Sequence, residues 1–282
     1  MAALTAPPIE IRSVARFIDW QMKVASEDGQ TDVAAEKGIQ LLRLAAQYDA
    51  EPGLISSQIA MAVRGAAVAA IDGVLSSGSV SPSLHVQLEQ ELAKFDAEAT
   101  LLATMKTERA ISISATLDQI GGAKSIVVNT IGLPMKRMYV GAIDYYEPLL
   151  MIANKPWHVS YEQGTPSVFQ TPTRFGTLAD LLASSFEVQF DIVHRTSALI
   201  RALRVKSALQ QFAAEHGREA EGLGDLALPK EATIDPFSGK PLKLKRTDDG
   251  WLIYSIGKDG VDDSGSFEDS KDYDVRPQKR TK

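Results

Sequence analysis

The residues whose types and spacing could do chemistry lie together near the C-terminus. Between Asp259 and Asp274 the chain carries seven acids (Asp259, Asp262, Asp263, Glu268, Asp269, Asp272 and Asp274) and one base, Lys271. Carboxylates crowded into one loop repel one another unless water or a cation stands between them. Calcium takes about six to eight oxygens and tolerates irregular geometry. The loop is therefore a candidate divalent-cation site. The competing reading is a solvated acidic loop that holds no metal. The spacing is not that of an EF-hand, whose glycine and terminal glutamate are out of place here.

Other chemistries find little support. The chain has no cysteine, which excludes disulfides, thiolate nucleophiles and cysteine-ligated zinc. His85, His158, His194 and His216 show no His-Glu-x-x-His spacing, and each reads as a structural histidine. There is no Gly-x-Ser-x-Gly elbow. Gly239-Lys240 and Gly257-Lys258 lack the earlier glycine that a phosphate loop needs. Asp144-Tyr145-Tyr146-Glu147 could serve acid–base chemistry, or could be a helix surface with its tyrosines packed into a groove. Trp157, Tyr161, Phe169 and Phe175 could line a ligand groove or simply anchor a loop.

The elements that must position these residues are mostly helical. Ile39, Leu42 and Ala46 form a short stripe. Ile55, Ile59, Ala62, Val63, Ala66, Ala70 and Val74 recur at three- and four-residue steps. Ser81-Pro82 opens another helix, with the hydroxyl placed to cap it. Its stripe runs on through Leu84, Leu88, Leu92, Phe95, Ala99 and Leu102. Gly121-Gly122 ends a further helix, Ile126-Val127-Val128 is too short to assign, and a helix is expected from about 136 to 152. The proline- and glycine-rich stretch 155–176 reads as an extended, ordered loop. Thr177-Leu178-Ala179-Asp180 starts a long helix that Gly217 should stop. That helix carries two stripes, Leu182/Phe186/Phe190/Val193 and Ala198/Ala202/Val205/Leu209/Phe212, which predicts two packing partners. A loop follows from Leu223 to Thr233. Leu242, Leu244 and Arg246 then alternate with lysines, Asp249-Gly250 signals a hairpin, and Trp251–Ser255 returns.

A chain of 282 residues at 44% hydrophobic content supports one large or two ordinary domains. Its net charge of −6 argues against a general nucleic-acid binder, and the basic residues Arg276, Lys279, Arg280 and Lys282 read as a flexible tail. The most apolar window, Leu54 to Leu75, is interrupted by Gln58, Arg64 and Asp72, so a core helix is expected rather than a membrane span. Met1 to Pro8 shows neither the basic nor the apolar region of a secretory leader.

One resemblance stands on a fixed order of residues. A helix ending near His216-Gly217 leads through a loop into Asp235-Pro236-Phe237-Ser238-Gly239-Lys240-Pro241. A hairpin and Ser255-Ile256-Gly257-Lys258-Asp259-Gly260 follow. Over residues 195–275 this resembles the globular part of the type II secretion major pseudopilin. In that family the loop after the second strand binds calcium. The resemblance implies Asp259, Asp272 and Asp274 as ligands here, with backbone carbonyls at Ser255 and Gly257. Pseudopilins open on a leader and a hydrophobic Phe-Thr-Leu-Ile-Glu helix, whereas this chain carries a helical region in that place. The whole layout looks like uncharacterised bacterial envelope-associated proteins of planctomycete type.

These readings give a mainly α fold with a small α+β C-terminal module. The expected divisions are a helical bundle over 9–153, a linker loop over 154–176, a long helix and two- or three-stranded antiparallel sheet over 177–275, and a tail over 276–282. The function expected is a non-enzymatic structural or protein-binding component of the bacterial cell envelope, stabilised by calcium. Its partner would be another protein, or a second copy, docked on the helical face. The alternative is a hydrolase using carboxylates near the 155–176 loop. Extracytoplasmic placement rests on the resemblance alone.

Overall fold

The computed structural model describes residues 8–50, 53–121, 140–162, 164–172, 177–247, 250–265 and 272–274. It is mainly helical, with a small antiparallel sheet at the C-terminal end. The helices are α1 (Pro8–Glu27), α2 (Thr31–Gln47), α3 (Leu54–Ser77), α4 (Pro82–Leu92), α5 (Ala97–Gly121), α6 (Tyr146–Ala153), α7 (Trp157–Ser160), α8 (Ser167–Gln170) and α9 (Thr177–His216). The strands are β1 (Lys243–Thr247), β2 (Gly250–Ser255) and β3 (Tyr273–Asp274), in the order β1-β2-β3.

The chain divides into two compact units that are not consecutive in sequence. One contains the described residues of Met1–Ala50, Ile59–Asp96 and His194–Lys282; the other contains those of Glu51–Gln58 and Ala97–Val193. This differs from the consecutive division expected over 9–153, 154–176 and 177–275; the tail 276–282 lies outside the described residues. The physical reason lies in the buried faces. The core of the first unit joins Ile39, Leu41, Val68, Ile71, Leu84 and Leu88 from α2–α4 to Ile200, Leu203 and Leu209 of α9, and to Leu242 and Ile253 of the hairpin. The change of stripe along α9 falls between Val193 and Ala198, where the boundary between units also falls.

Four helix expectations need correction. The stripe read from Leu84 to Leu102 is not one helix: it breaks after Leu92 and resumes at Ala97. On α3, Ile55 is 70% exposed and Ala62 and Ala66 are exposed, while Ala60, Met61, Ala67, Val68 and Ile71 are buried. That helix is apolar on nearly every side, so periodicity cannot tell which face turns inward. On α2 it is Ala45, not Ala46, that is buried. α4 does begin at Pro82, but Ser81 Oγ meets Ser83 Oγ at 3.3 Å instead of capping the helix.

Among the described residues α3 alone is long and apolar enough to cross a membrane. Its charged residues tie it into the first unit. Arg64 pairs with Asp49 and lies over the Phe95 ring, 4.8 Å from its centroid. Asp72, fully buried, pairs with Lys206 of α9, whose Nζ also donates to Ser76 Oγ at 2.7 Å. α2 and α3 approach closely at Gly38, where a Cβ would run into Ile71 Cγ1 with Met22 Cε 3.0 Å away. Gly38→Ala should therefore cost about 1–3 kcal/mol by overpacking. Chemical denaturation checks this, and a variant as stable as the parent contradicts it.

In the second unit the 155–176 stretch is not extended throughout, since it forms the short helices α7 and α8. Its aromatics do pin it. Trp157 is buried and stacks on Tyr161 at 3.6 Å, and buried Phe169 meets Phe190 edge-on at 5.5 Å. Phe175 lies outside the described residues. Tyr145 and Tyr146 are buried against Phe186, Tyr146 shares a 2.9 Å hydrogen bond with Ser112, and Glu147 pairs with Arg109 at 2.7 Å. Burial pushes both phenols above their ordinary pKa, which suits packing rather than proton transfer at neutral pH. The helix expected from 136 is described only from Val140 onward, where 140–144 and α6 are helical with a turn at Tyr145; Gly122 and Ile126–Val128 lie outside the described residues.

Candidate metal centre

α9 ends at His216, and Gly217 follows in the left-handed region (φ 64°), as the sequence predicts. The chain then reaches a tight turn at Asp235–Lys240. Here Gly239 N–H donates to the Asp235 carbonyl at 2.9 Å and Asp235 N–H donates to the Lys240 carbonyl at 2.8 Å. β1 and β2 pair in register from Lys243↔Tyr254 to Thr247↔Gly250. Gly250 has φ 113°, while its hairpin neighbour Asp249 lies outside the described residues. β3 pairs with the far end of β2 through Tyr254↔Asp274 and Ser255↔Tyr273. Tyr273 sits between the Phe237 ring at 5.4 Å and the Arg195 guanidinium at 5.0 Å, which fastens β3 to the turn and to α9.

The acidic loop leaves β2 at Ser255 and folds back on itself. Gly257, Gly260, Ser264 and Gly265 all have positive φ, so its backbone curls tightly. A side chain at Gly265 would be strained by its φ of 75°, and its Cβ would stand 2.6 Å from Leu252 Cδ2, so that leucine would have to shift.

Each residue implied as a ligand has a distinct environment. Asp272 is fully buried. Its Oδ2 accepts the Gly265 N–H at 2.8 Å, while its Oδ1 is buried with no hydrogen-bond partner among the described residues. Burial raises its pKa, the Gly265 N–H opposes this, and the charges of Asp262, Asp263 and Asp259 raise it further. Asp259 is exposed and its Oδ1 accepts the Val261 N–H at 3.1 Å. Asp274 is 9% exposed on β3. The Ser255 hydroxyl is committed, donating to Asp235 Oδ1 at 2.7 Å and accepting the Gly257 N–H at 3.1 Å. Only its carbonyl could serve a cation. The Gly257 carbonyl accepts the Gly260 N–H at 3.4 Å, a long contact that leaves a lone pair.

Among the described residues no three carboxylate or imidazole side chains stand together as one ligand set. Any ion here would take one or two carboxylates, with backbone carbonyls and water completing its shell. Glu268, Asp269 and Lys271 lie outside the described residues. Two further acids play parts that the sequence reading did not single out. Asp263 Oδ2 is buried without a hydrogen-bond partner among the described residues. Asp262 accepts from the Tyr254 hydroxyl at 2.9 Å and the Ser264 N–H at 3.0 Å, and pairs with Lys243 at 3.0 Å. That pairing, led by Lys243, holds the Asp262 carboxyl below its ordinary range.

Sequence reasoning named Asp235 in the pseudopilin-like order of residues but gave it no role. It is buried and accepts four hydrogen bonds, from Phe237 N–H (3.0 Å), Ser238 Oγ (2.8 Å), Ser255 Oγ (2.7 Å) and Ile256 N–H (3.3 Å). An aspartate followed two and three residues on by such donors is the signature of an Asx turn, which is the signal that could have found it. No family model, curated protein or solved structure matches the chain.

Proposed function

We propose that this chain is a non-enzymatic structural or protein-binding component of the bacterial cell envelope, with a C-terminal module stabilised by calcium. The observation that carries the calcium reading is Asp272. A fully buried carboxylate with an unpartnered oxygen, beside Asp259 and Asp263, is costly unless a cation meets it. Asp272 and Asp259 would be the charged ligands, with the carbonyls of Ser255 and Gly257 beside them. Asp274 is the remaining carboxylate implied by the pseudopilin-like order of residues. The protein-binding half rests on α1, where Val14, Phe17, Trp20 and Val24 form an exposed apolar stripe on the helical face. A partner or a second copy would dock there. Among the described residues of the 155–176 stretch, the Trp157 and Phe169 rings turn inward, which favours this reading over a hydrolase.

Thermal melting of the whole chain across a calcium series, against chelator, tests the proposal. Calcium at a hundredfold over Kd adds about 2.7 kcal/mol. A domain of this size then melts about 5–10 °C higher. A Kd of about 0.1–1 mM, the range of extracellular modules, supports an envelope setting. Equal melting with and without calcium removes the metal from the reading.

A further inference from the structure

A second polar site lies in the first unit, on the side of α9 that faces α4 and the loop around Asp225. It is a cavity of about 120 Å³ whose walls include His85, Glu89, Arg204, Phe212, Glu215 and Asp225.

At one end the free groups are donors. His85 is only 4% exposed, and its Nδ1 stands 2.7 Å from the Oγ of buried Ser207. That hydroxyl has no other hydrogen-bond partner among the described residues, so it donates to Nδ1 and the imidazole proton sits on Nε2. Nε2 makes no hydrogen bond among the described residues. Burial lowers the His85 pKa against the opposing charges of Asp32 and Glu215, which keeps the ring neutral at pH 7. Arg204 grips Glu89 through Nε (2.9 Å) and Nη2 (2.5 Å). Its Nη1 is not engaged among the described residues.

At the other end stand two acids beside His216, whose Nδ1 lies 3.1 Å from the Phe212 carbonyl oxygen. Glu215 uses Oε1 to accept from Gln211, at 2.8 Å, and Asp225 uses Oδ2 to accept the Glu221 N–H, at 2.7 Å. Each keeps a second oxygen, and neither has a basic partner among the described residues. Arg204 and Glu215 lie eleven positions apart on α9, an axial rise of about 16 Å that long side chains can narrow.

We propose that this cavity binds a small zwitterion with separated ends, a short straight-chain ω-amino acid. Its carboxylate meets His85 Nε2–H and Arg204 Nη1, and its ammonium meets Glu215 and Asp225. The Phe212 ring, stacked on His216 at 4.2 Å with the Arg218 guanidinium 5.0 Å from its centroid, leaves its edge to border the methylene chain.

Titration of the whole chain with 4-aminobutanoate, butanoate and butylamine, followed by calorimetry and amide NMR shifts, tests this. 4-Aminobutanoate should bind at least about tenfold more tightly than either single-ended analogue, a difference of about 1.4 kcal/mol or more. The double variant Glu215→Gln/Asp225→Asn alters two exposed residues. It should melt like the parent and lose at least about tenfold in affinity. The proposal falls if millimolar 4-aminobutanoate shifts no resonance of the cavity. Butylamine binding as well as the zwitterion, or unaltered affinity in the double variant, overturns it equally.

Discussion

Asp235→Ala should destabilise the first unit by about 3–5 kcal/mol, because it strips a buried hub of its charge and leaves its donors unmet. The four donors come from both sides of the module. Phe237 and Ser238 belong to the tight turn, Ser255 to the end of β2, and Ile256 to the start of the acidic loop. An isolated buried donor costs about 1–3 kcal/mol, and the four share one carboxylate, so their losses do not simply add. Asp235→Asn keeps one acceptor oxygen and should lose about half as much. Urea denaturation followed by tryptophan emission, Trp251 being on β2, measures both. The loss should be the same in calcium and in chelator, since Asp235 is already fully engaged by protein donors. An alanine variant within about 1 kcal/mol of the parent would show that the turn and the strand hold without it.

Asp272→Asn should have the opposite sign in chelator. The unfolded carboxyl has its ordinary pKa of 3.8, and burial raises the folded value above that. Between those two values the native state binds the proton more strongly than the unfolded chain does. Stability of the metal-free protein therefore falls as pH rises through that window, and stays reduced above it. Asparagine keeps an acceptor for the Gly265 N–H and carries no charge. At pH 7 in chelator the variant should melt at or above the parent, and its stability should no longer fall across that pH window. In calcium the order reverses, because the variant forfeits the gain of about 5–10 °C that the parent shows. A variant that retains the full calcium response would take Asp272 out of the site.

The order of the C-terminal elements was legible in the residues. Gly217 ends α9, alternating residues form β1, and Trp251–Ser255 returns. The residues left two or three strands open, and the structure adds β3 after the acidic loop. Part of the candidate site was legible too, since acids at that density mark a candidate cation loop, with a solvated loop as the competing reading. What composition could not rank was the acids themselves. Asp262 is neutralised by Lys243, Asp259 faces solvent, and Asp272 is buried with an open oxygen. Those differences come from burial and from neighbours brought in across the strands.

By itself the sequence determined most of the long helical segments and several of the turns, though not the break after Leu92 or the short helices within 155–176. Such features depend on residues within a turn or two of one another: periodic apolar faces, a glycine at a helix end, proline at a helix start. Only the tertiary structure decided what each face meets. Burial of apolar surface is non-directional, so a stripe on α3 or α4 declares that it will be covered but not by what. It is the fold that sends α1–α4 to the C-terminal half of α9 and the hairpin. It likewise brings Ser207 to His85 across 122 positions, and gives the Asp235 carboxylate to a serine twenty residues away.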